Sequence, residues 1–409
     1  MASTVVVATV GLLEVVQAAV IRVALKSAET NRMASWFIGV RNCPSKLLPM
    51  DTIGVLTSGG DAPGMNAAIR AVAKVASARN VRVLGIERGY DGLIDGRFRQ
   101  LTRAVSWGMA PIGALQSEGN KGGTMLGTAR SSRFLAPEGR QEASNRLLSL
   151  GVRGLVVIGG NGSVAGAHHL AIESPIPIVA IPASIDNDIG CTSDAIGVDT
   201  ALNTIVEACD RISDTAQSLK RAFVVEVMGR QSGYLAMSAA VASAADAVLI
   251  PEHQSTEEEI VDSIAELIHR NLATERAKRL VLIIKAEGVS IPTDRLVSEI
   301  EARLLDTNID VRGAVLGHIV RGGAPSFHDR MLAGRLGLVA VEAIMNGITD
   351  HMTAWRTTVS GGRLTSDPMV ELFPITDVLN ETEALLDGTS EITKRRIRRM
   401  EDIQGVLAL

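Results

Sequence analysis

The segment Pro182-Ala183-Ser184-Ile185-Asp186-Asn187-Asp188 follows the apolar run Ile178 to Ile181 and carries two carboxylates two residues apart. Carboxylates at the carboxyl end of a buried strand stand where open α/β sheets bind ligands. The same residue types also make turns and cap helices, so a purely local role is the alternative. Three glycine-rich runs accompany this segment: Thr57 to Asn66 (TSGGDAPGMN), Gly122 to Arg130 (GGTMLGTAR) and Gly159 to Ser163 (GGNGS), the last with Gly166 beyond. Glycine lets the backbone approach a ligand closely, and a helix N-terminus adds free N–H donors and the positive end of a dipole. None of the three is GxxxxGKS/T or GxGxxG, which argues against a P-loop and a dinucleotide fingerprint. One such turn alone is a common connector; three together, one carrying Arg130, point to a nucleotide or pyrophosphate site. Arg221, Arg230, Arg312 and Arg321, with His318 and Glu287, fall in or next to further apolar runs. A lone arginine is usually a surface ion pair, but four in such positions suggest a pocket for a phosphorylated substrate.

The elements that must position these residues are an alternation of short apolar runs with helical patterns, the signature of a parallel sheet covered on both faces. Buried strands are predicted at Ile53–Leu56, Val81–Ile86, Leu155–Ile158, Ile178–Ile181, Phe223–Val227, Ala247–Ile250 and Leu280–Ile284. Helices are predicted at Asn66–Ala78, Thr200–Ile212, Glu257–Asn271 and Asp329–Met345. So many units exceed one sheet, which predicts two doubly wound domains.

The 409 residues are 46% hydrophobic and 21% charged, enough to bury full cores, which excludes disordered and fibrous classes. Lysine plus arginine number 41 against 45 aspartate plus glutamate, so no positive field recommends a general nucleic-acid binder. Cys43, Cys191 and Cys209 contain no CxxC pair, so neither a disulfide framework nor a zinc site is indicated, and a reducing cytoplasm is expected. The apolar run Val5 to Leu25 is interrupted by Glu14, Gln17 and Arg22, which argues against a transmembrane helix. Residues 1–49 show no cleavage site, and Met50 directly precedes the first predicted strand. They read either as an upstream start assigned in error, with Met50 the true start, or as an appended helix or targeting segment.

The combination of TSGGDAPGMNAAIR at Thr57–Arg70, GGTMLGTAR, IDND at Ile185–Asp188, VEVMGR at Val225–Arg230 and LGHIVRGG at Leu316–Gly323 resembles the 6-phosphofructokinase family. The likeness runs from about residue 53 to 345. It implies an α/β fold of two Rossmann-like doubly wound domains with the active site in the cleft between them. The larger, nucleotide-binding domain would take 51–197 plus about 320–370, and the smaller, sugar-phosphate domain 198–319 plus about 371–409. It also implies ATP and fructose 6-phosphate as substrates, magnesium as the ion, glycolysis in the cytoplasm, and a homotetramer that binds neither nucleic acid nor membrane. The family's catalytic base falls on Asp186. Gly60, Tyr90, Arg130, Asn161, Gly162, Ser163 and Gly166 would line the nucleotide. Ser184, Ile185, Asp186, Arg221, Met228, Gly229, Arg230, Glu287, Arg312, His318 and Arg321 would hold the sugar phosphate, with Arg221 and Arg312 reaching a neighbouring subunit's site.

Two positions depart from the family pattern. Asn161 stands where the ATP-dependent members usually place a magnesium-coordinating Asp, and Ser184 replaces a threonine. The asparagine keeps an oxygen but gives up a full charge, which weakens attraction for a hard cation, and Asp188 could reach the ion through water. Pyrophosphate-dependent relatives typically carry Asp where Gly162 stands and Lys where Ala183 stands, so both residues favour ATP. The competing expectations are the pyrophosphate-dependent reaction and a non-catalytic sugar-phosphate-binding homologue. The family's effector site would fall on Arg70, Lys74, Arg103, Asp246 and Lys278, with Ser213 replacing a further arginine; ordinary surface charge explains these residues equally well.

Overall fold

Every residue of the strand Thr52–Ser58 and of the strand Ile178–Pro182 is buried, and in Val152–Gly159 only Arg153 reaches solvent. Strands apolar on both faces must be covered on both, which is the condition of a parallel sheet inside helical layers. The computed structural model describes residues 51–395 apart from 254, 273–279, 308, 357, 358 and 360, together with 397, 398 and 402. The expectations for residues 1–49 and for Lys278 lie outside the described residues.

The strands are β1 (Thr52–Ser58), β2 (Arg82–Ile86), β3 (Phe98–Gln100), β4 (Thr102–Val105), β5 (Gly108–Pro111), β6 (Val152–Gly159), β7 (Ile178–Pro182), β8 (Arg221–Val227), β9 (Ala247–Leu249), β10 (Leu280–Ala286), β11 (Asp310–Val315), β12 (His351–Trp355), β13 (Arg363–Leu364) and β14 (Val370–Pro374). An eight-stranded sheet has the order β13-β14-β12-β7-β6-β1-β2-β3, and a four-stranded sheet the order β11-β8-β10-β9. The strands β2, β1, β6, β7 and β12 run parallel, while β3 and the β14–β13 pair are antiparallel edges. All of the smaller sheet is parallel. Both sheets lie in one unit, Met50–Leu409.

Register decides what meets what. Ser58 pairs with Gly159 and Gly159 with Pro182, so β1, β6 and β7 end level and their loops emerge side by side. In the smaller sheet Val227 pairs with Ala286 and Glu226 with Val315, so Met228–Arg230, Glu287 and Leu316–Arg321 also share one edge. Ligands bind at such carboxyl edges in open α/β sheets.

The expectation that 371–409 joins the smaller domain is corrected for residues 371–386. β14 pairs antiparallel with β12, Leu372 and Phe373 are buried there, and the helix Ile375–Leu386 packs on the helix Asn161–Glu173.

The helices Val198–Leu219 and Phe327–Met345 are joined by Asp329, which is fully buried. Its carboxylate accepts from Gly197 N (2.8 Å), Thr200 N (2.8 Å) and Thr200 Oγ1 (2.5 Å), satisfying donors at a helix start that has no cap of its own. Asp329→Ala strands these donors and is expected to lower unfolding free energy by about 2–4 kcal/mol in urea titrations. A loss below about 1 kcal/mol would mean that water replaces the carboxylate.

Candidate active site

A cleft of about 730 Å³ opens at these two carboxyl edges. Of the residues expected to contact nucleotide, Gly60, Tyr90, Arg130, Asn161, Gly162, Ser163 and Gly166 all line it. Of those expected to hold the sugar phosphate, Ser184, Asp186, Arg230 and Arg321 line it, and Asp188 joins them.

The 182–188 loop leaves β7 along a short parallel bridge: Ala183 N donates to Gly159 O, Ser184 N to Ile196 O and Ile196 N to Pro182 O. Ser184 Oγ then accepts from Asp186 N at 3.2 Å. Asn187 sits at φ 48, a left-handed conformation that asparagine tolerates better than most residues. Its side chain donates to Ser193 O (2.9 Å) and accepts from Ala195 N (3.1 Å), closing the loop on itself. The turn-making role therefore belongs to Asn187, while Asp186 and Asp188 face the cleft. Ile185 is a correction: its side chain is buried in the core, so it can offer a ligand only backbone.

Asp186 is 2% exposed, and its Oδ1 has no hydrogen-bond partner. Arg230 Nε lies 3.4 Å from Oδ2 and Arg321 Nη2 lies 3.7 Å from Oδ1. Burial raises the Asp186 carboxyl above its ordinary range; the two guanidiniums oppose that and Glu287 adds to it. Asp188 is pushed up to about 6, first by burial and then by the neighbouring charge of Asp186. A carboxylate raised toward neutrality, with a free oxygen aimed into a cleft, has the properties of a general base.

The glycine runs knit together around the opposite wall. Thr57 Oγ1 donates to Gly127 O (2.9 Å), Thr128 Oγ1 to Gly59 O (2.6 Å), and Asn66 Oδ1 accepts from Met125 N (2.6 Å). A Cβ on Gly122 would lie 2.3 Å from Gly323 O, so the second run and the LGHIVRGG run touch backbone to backbone. Arg321 Nη1 donates to Asp61 O at 3.1 Å, placing its guanidinium between the first glycine run and Asp186. The helix Asn161–Glu173 starts at the cleft without a side-chain cap, a polarity that favours an anion. Tyr90 donates to Ser163 O (2.7 Å), stacks on Phe134 with centroids 3.9 Å apart, and packs over Gly166, where a Cβ would lie 2.9 Å from its ring. These rings form a flat wall of the kind a base stacks on. Around Gly162, by contrast, no atom lies within 4 Å of a built Cβ.

A divalent ion carried by a polyphosphate has oxygen partners here. Asn161 Oδ1 is buried without a hydrogen bond, its Nδ2 donates to the main-chain carbonyl of Asp188 at 3.2 Å, and Asn161, Asp186 and Asp188 all line the cleft. No cluster of three His, Cys, Asp or Glu is found among the described residues. One or two carboxylates plus phosphate oxygens are what magnesium commonly uses, so this set fits it.

Several expected residues stand apart. Met228 and Gly229 lie behind Arg230 in a turn that Glu287 fixes by accepting from Gly229 N (3.1 Å) and Arg230 N (2.7 Å); Glu287 does not line the cleft. His318 is exposed on the turn Gly317–Arg321. Arg221 and Arg312 lie toward the amino ends of β8 and β11, away from the cleft. Of the effector candidates, Asp246 turns inward and accepts from Leu282 N (2.9 Å). Phe134, Leu135, Arg140 and His169 also line the cleft although nothing in the motifs singled them out. Arg140 is legible only in three dimensions, where it clamps Glu173 at 2.8 Å and holds the carbonyls of Phe134 and Leu135.

Fold and cleft together define an α/β phosphotransferase with an anion-binding wall facing a buried carboxylate. A sequence profile described as phosphofructokinase matches residues 52–344. The chain belongs to the phosphofructokinase family. It is 43% identical over 322 residues to the ATP-dependent 6-phosphofructokinase of Thermotoga petrophila, covering 79% of this chain and 94% of the relative. It is 46% identical over 296 residues to ATP-dependent 6-phosphofructokinase 2 of Bacteroides thetaiotaomicron, covering 72% and 85%. The solved phosphofructokinase of Saccharomyces cerevisiae superposes with a TM-score of 0.72 at 31% identity, over 86% of this chain and 48% of the yeast chain. The pyrophosphate-dependent phosphofructokinase of Marinobacter aquaeolei (TM-score 0.66, 18% identity, 86% of this chain and 91% of that one) shares the fold.

The folded-state shift of Asp188 has a sign that can be measured. Below pH 4 the group is protonated folded and unfolded; between about 4 and 6 only the unfolded chain releases the proton, so stability falls as pH rises through that window and the cost persists above it. In ligand-free, chelated protein Asp188→Asn should reduce this fall, leaving the part due to Asp186, and raise stability at pH 7 by about 1–3 kcal/mol, read from denaturant curves between pH 4 and 8. An unchanged pH profile would show that water reaches the carboxylate.

Proposed function

We propose that the chain transfers the γ-phosphoryl group of ATP to the 1-hydroxyl of fructose 6-phosphate, giving fructose 1,6-bisphosphate and ADP in glycolysis. The observation that carries this reading is the buried Asp186 carboxylate, one oxygen without a hydrogen bond, lining the same cleft as the glycine loops. Asp186 accepts the hydroxyl proton as that oxygen attacks phosphorus; Arg130 and the loop N–H groups balance charge on the transferred group. Arg230 and Arg321, both within 4 Å of Asp186, are placed to hold the sugar phosphate beside the base. Bound magnesium, held through Asn161 and Asp188 together with the nucleotide's own phosphates, would neutralise phosphate charge.

The open space at Gly162 favours ATP, because a carboxylate built there would project into the room a nucleotide needs. The relatives at 40–46% identity are named ATP-dependent. A homotetramer in the cytoplasm is part of the same reading. Arg221 and Arg312 lie too far along their strands to serve their own chain's cleft, and β11 is an edge strand with exposed Val315 and Ile319 beside it. Buried, unpaired Cys191 and Cys209 are compatible with a reducing compartment. No described helix is long and apolar enough to cross a membrane.

A coupled assay with purified protein, fructose 6-phosphate and either ATP or pyrophosphate decides the donor. Turnover is expected with ATP, and Asp186→Asn should lower kcat by about two to four orders of magnitude while sugar-phosphate binding survives. Turnover with pyrophosphate alone would reverse the donor, and none with either would leave a non-catalytic homologue. Asn161→Asp restores a full charge and should lower the magnesium concentration for half-maximal rate. If it does not, while Asp188→Asn raises the requirement sharply, Asp188 alone carries the ion.

A further inference from the structure

We propose that Asp310 is an internal competitor for the sugar phosphate, holding Arg221 and Arg312 until substrate displaces it, and so sets the fructose 6-phosphate concentration at which the enzyme fills. The inference rests on the reading above, in which these two arginines complete a neighbouring subunit's site. On the parallel strands Asp310 stands directly opposite Arg221, and Arg312 follows two residues later on the same face. Arg221 Nε lies 2.6 Å from Asp310 Oδ2, Arg312 Nε lies 2.9 Å from Oδ1, and Arg312 Nη2 lies 3.2 Å from Oδ2. Both carboxylate oxygens are therefore taken by the two guanidiniums.

The cluster is built to exchange its anion. In the single chain the side chains of Arg221, Asp310 and Arg312 are 31%, 30% and 56% exposed, and exposed pairs of this kind are weak. It sits on the outermost strand of the smaller sheet, with no further strand beyond β11 to cover it. Two guanidiniums and one carboxylate leave a local charge of about +1; with the carboxylate aside it is about +2, which matches a phosphate monoester near neutral pH. A phosphate offers three oxygens to the same donors, so it replaces the carboxylate on chemistry the arginines already use. The cost is the repulsion between incoming phosphate and Asp310, and it falls on capture, since Asp310 holds the arginines and not the base.

Steady-state kinetics at saturating ATP and magnesium test this. Asp310→Asn keeps the shape and an acceptor but drops the charge; the half-saturating fructose 6-phosphate concentration should fall about 3- to 10-fold with kcat within about twofold, the size expected for one charge a few ångströms away in water. Equilibrium binding of fructose 6-phosphate without nucleotide should tighten by the same factor. Asp310→Ser serves as a second neutral variant, with thermal unfolding as the check on its fold. An unchanged value overturns the proposal, and a raised one assigns the carboxylate to aligning the arginines instead. Loss of assembly in sedimentation overturns it too, placing Asp310 in the subunit interface. Arg221→Ala and Arg312→Ala separate the two levels: if neither weakens binding, the shared-site reading itself fails; if both weaken it while Asp310→Asn does not strengthen it, only the competition is wrong.

Discussion

A carboxylate withdrawn from water at the end of β7 is the constraint around which the rest is arranged. Asp186 cannot ionise cheaply where it sits, and its own sheet offers no cation. The guanidiniums that make the charge tolerable both come from beyond the smaller sheet's strands, Arg230 after β8 and Arg321 after β11. The electrostatics of the base thus depend on two sheets keeping their carboxyl edges face to face. Arg321 also grips Asp61 O in the first glycine loop, so the same side chain links the base to the phosphate wall.

Close approach is the second requirement, and glycine meets it at specific contacts. Gly122 lies against the Gly323 carbonyl in a backbone contact that a side chain on Gly122 would open, and Gly166 makes room for the ring of Tyr90. Gly162 is different, since a side chain there would meet nothing; what it preserves is space for ligand. A side chain at that position would be compatible with the fold.

The cleft is therefore a balance between tolerated strain and unmet polarity. Asn187 and Arg230 both adopt positive φ values, one closing the loop behind the base and one aiming a cation at it, and Glu287 steadies the second. Asn161 Oδ1, Ser163 Oγ and Asp186 Oδ1 are buried without hydrogen bonds, all on residues that line the cleft. Buried polar atoms left unpaired are costly, and three converging on one cavity mark where a ligand's own polar groups belong.

By itself the sequence determined the alternation of strands and helices, because apolar runs buried on both faces admit few other arrangements. It also marked the loops that carry chemistry: glycine runs, paired carboxylates and arginines are legible wherever residue type alone limits what a position can do. Only the tertiary structure decided which of them share a cleft. Nothing local distinguishes Arg230, beside the base, from Arg221, nine residues earlier at the opposite end of the same strand–turn unit and bound to Asp310. Nor does it reveal that Ile185 is buried in the core while its neighbour Asp186 lines the cleft, or that residues 371–386 return to the larger sheet. Those outcomes follow from register and from which strand a chain pairs with, and both are set by contacts between residues far apart in sequence.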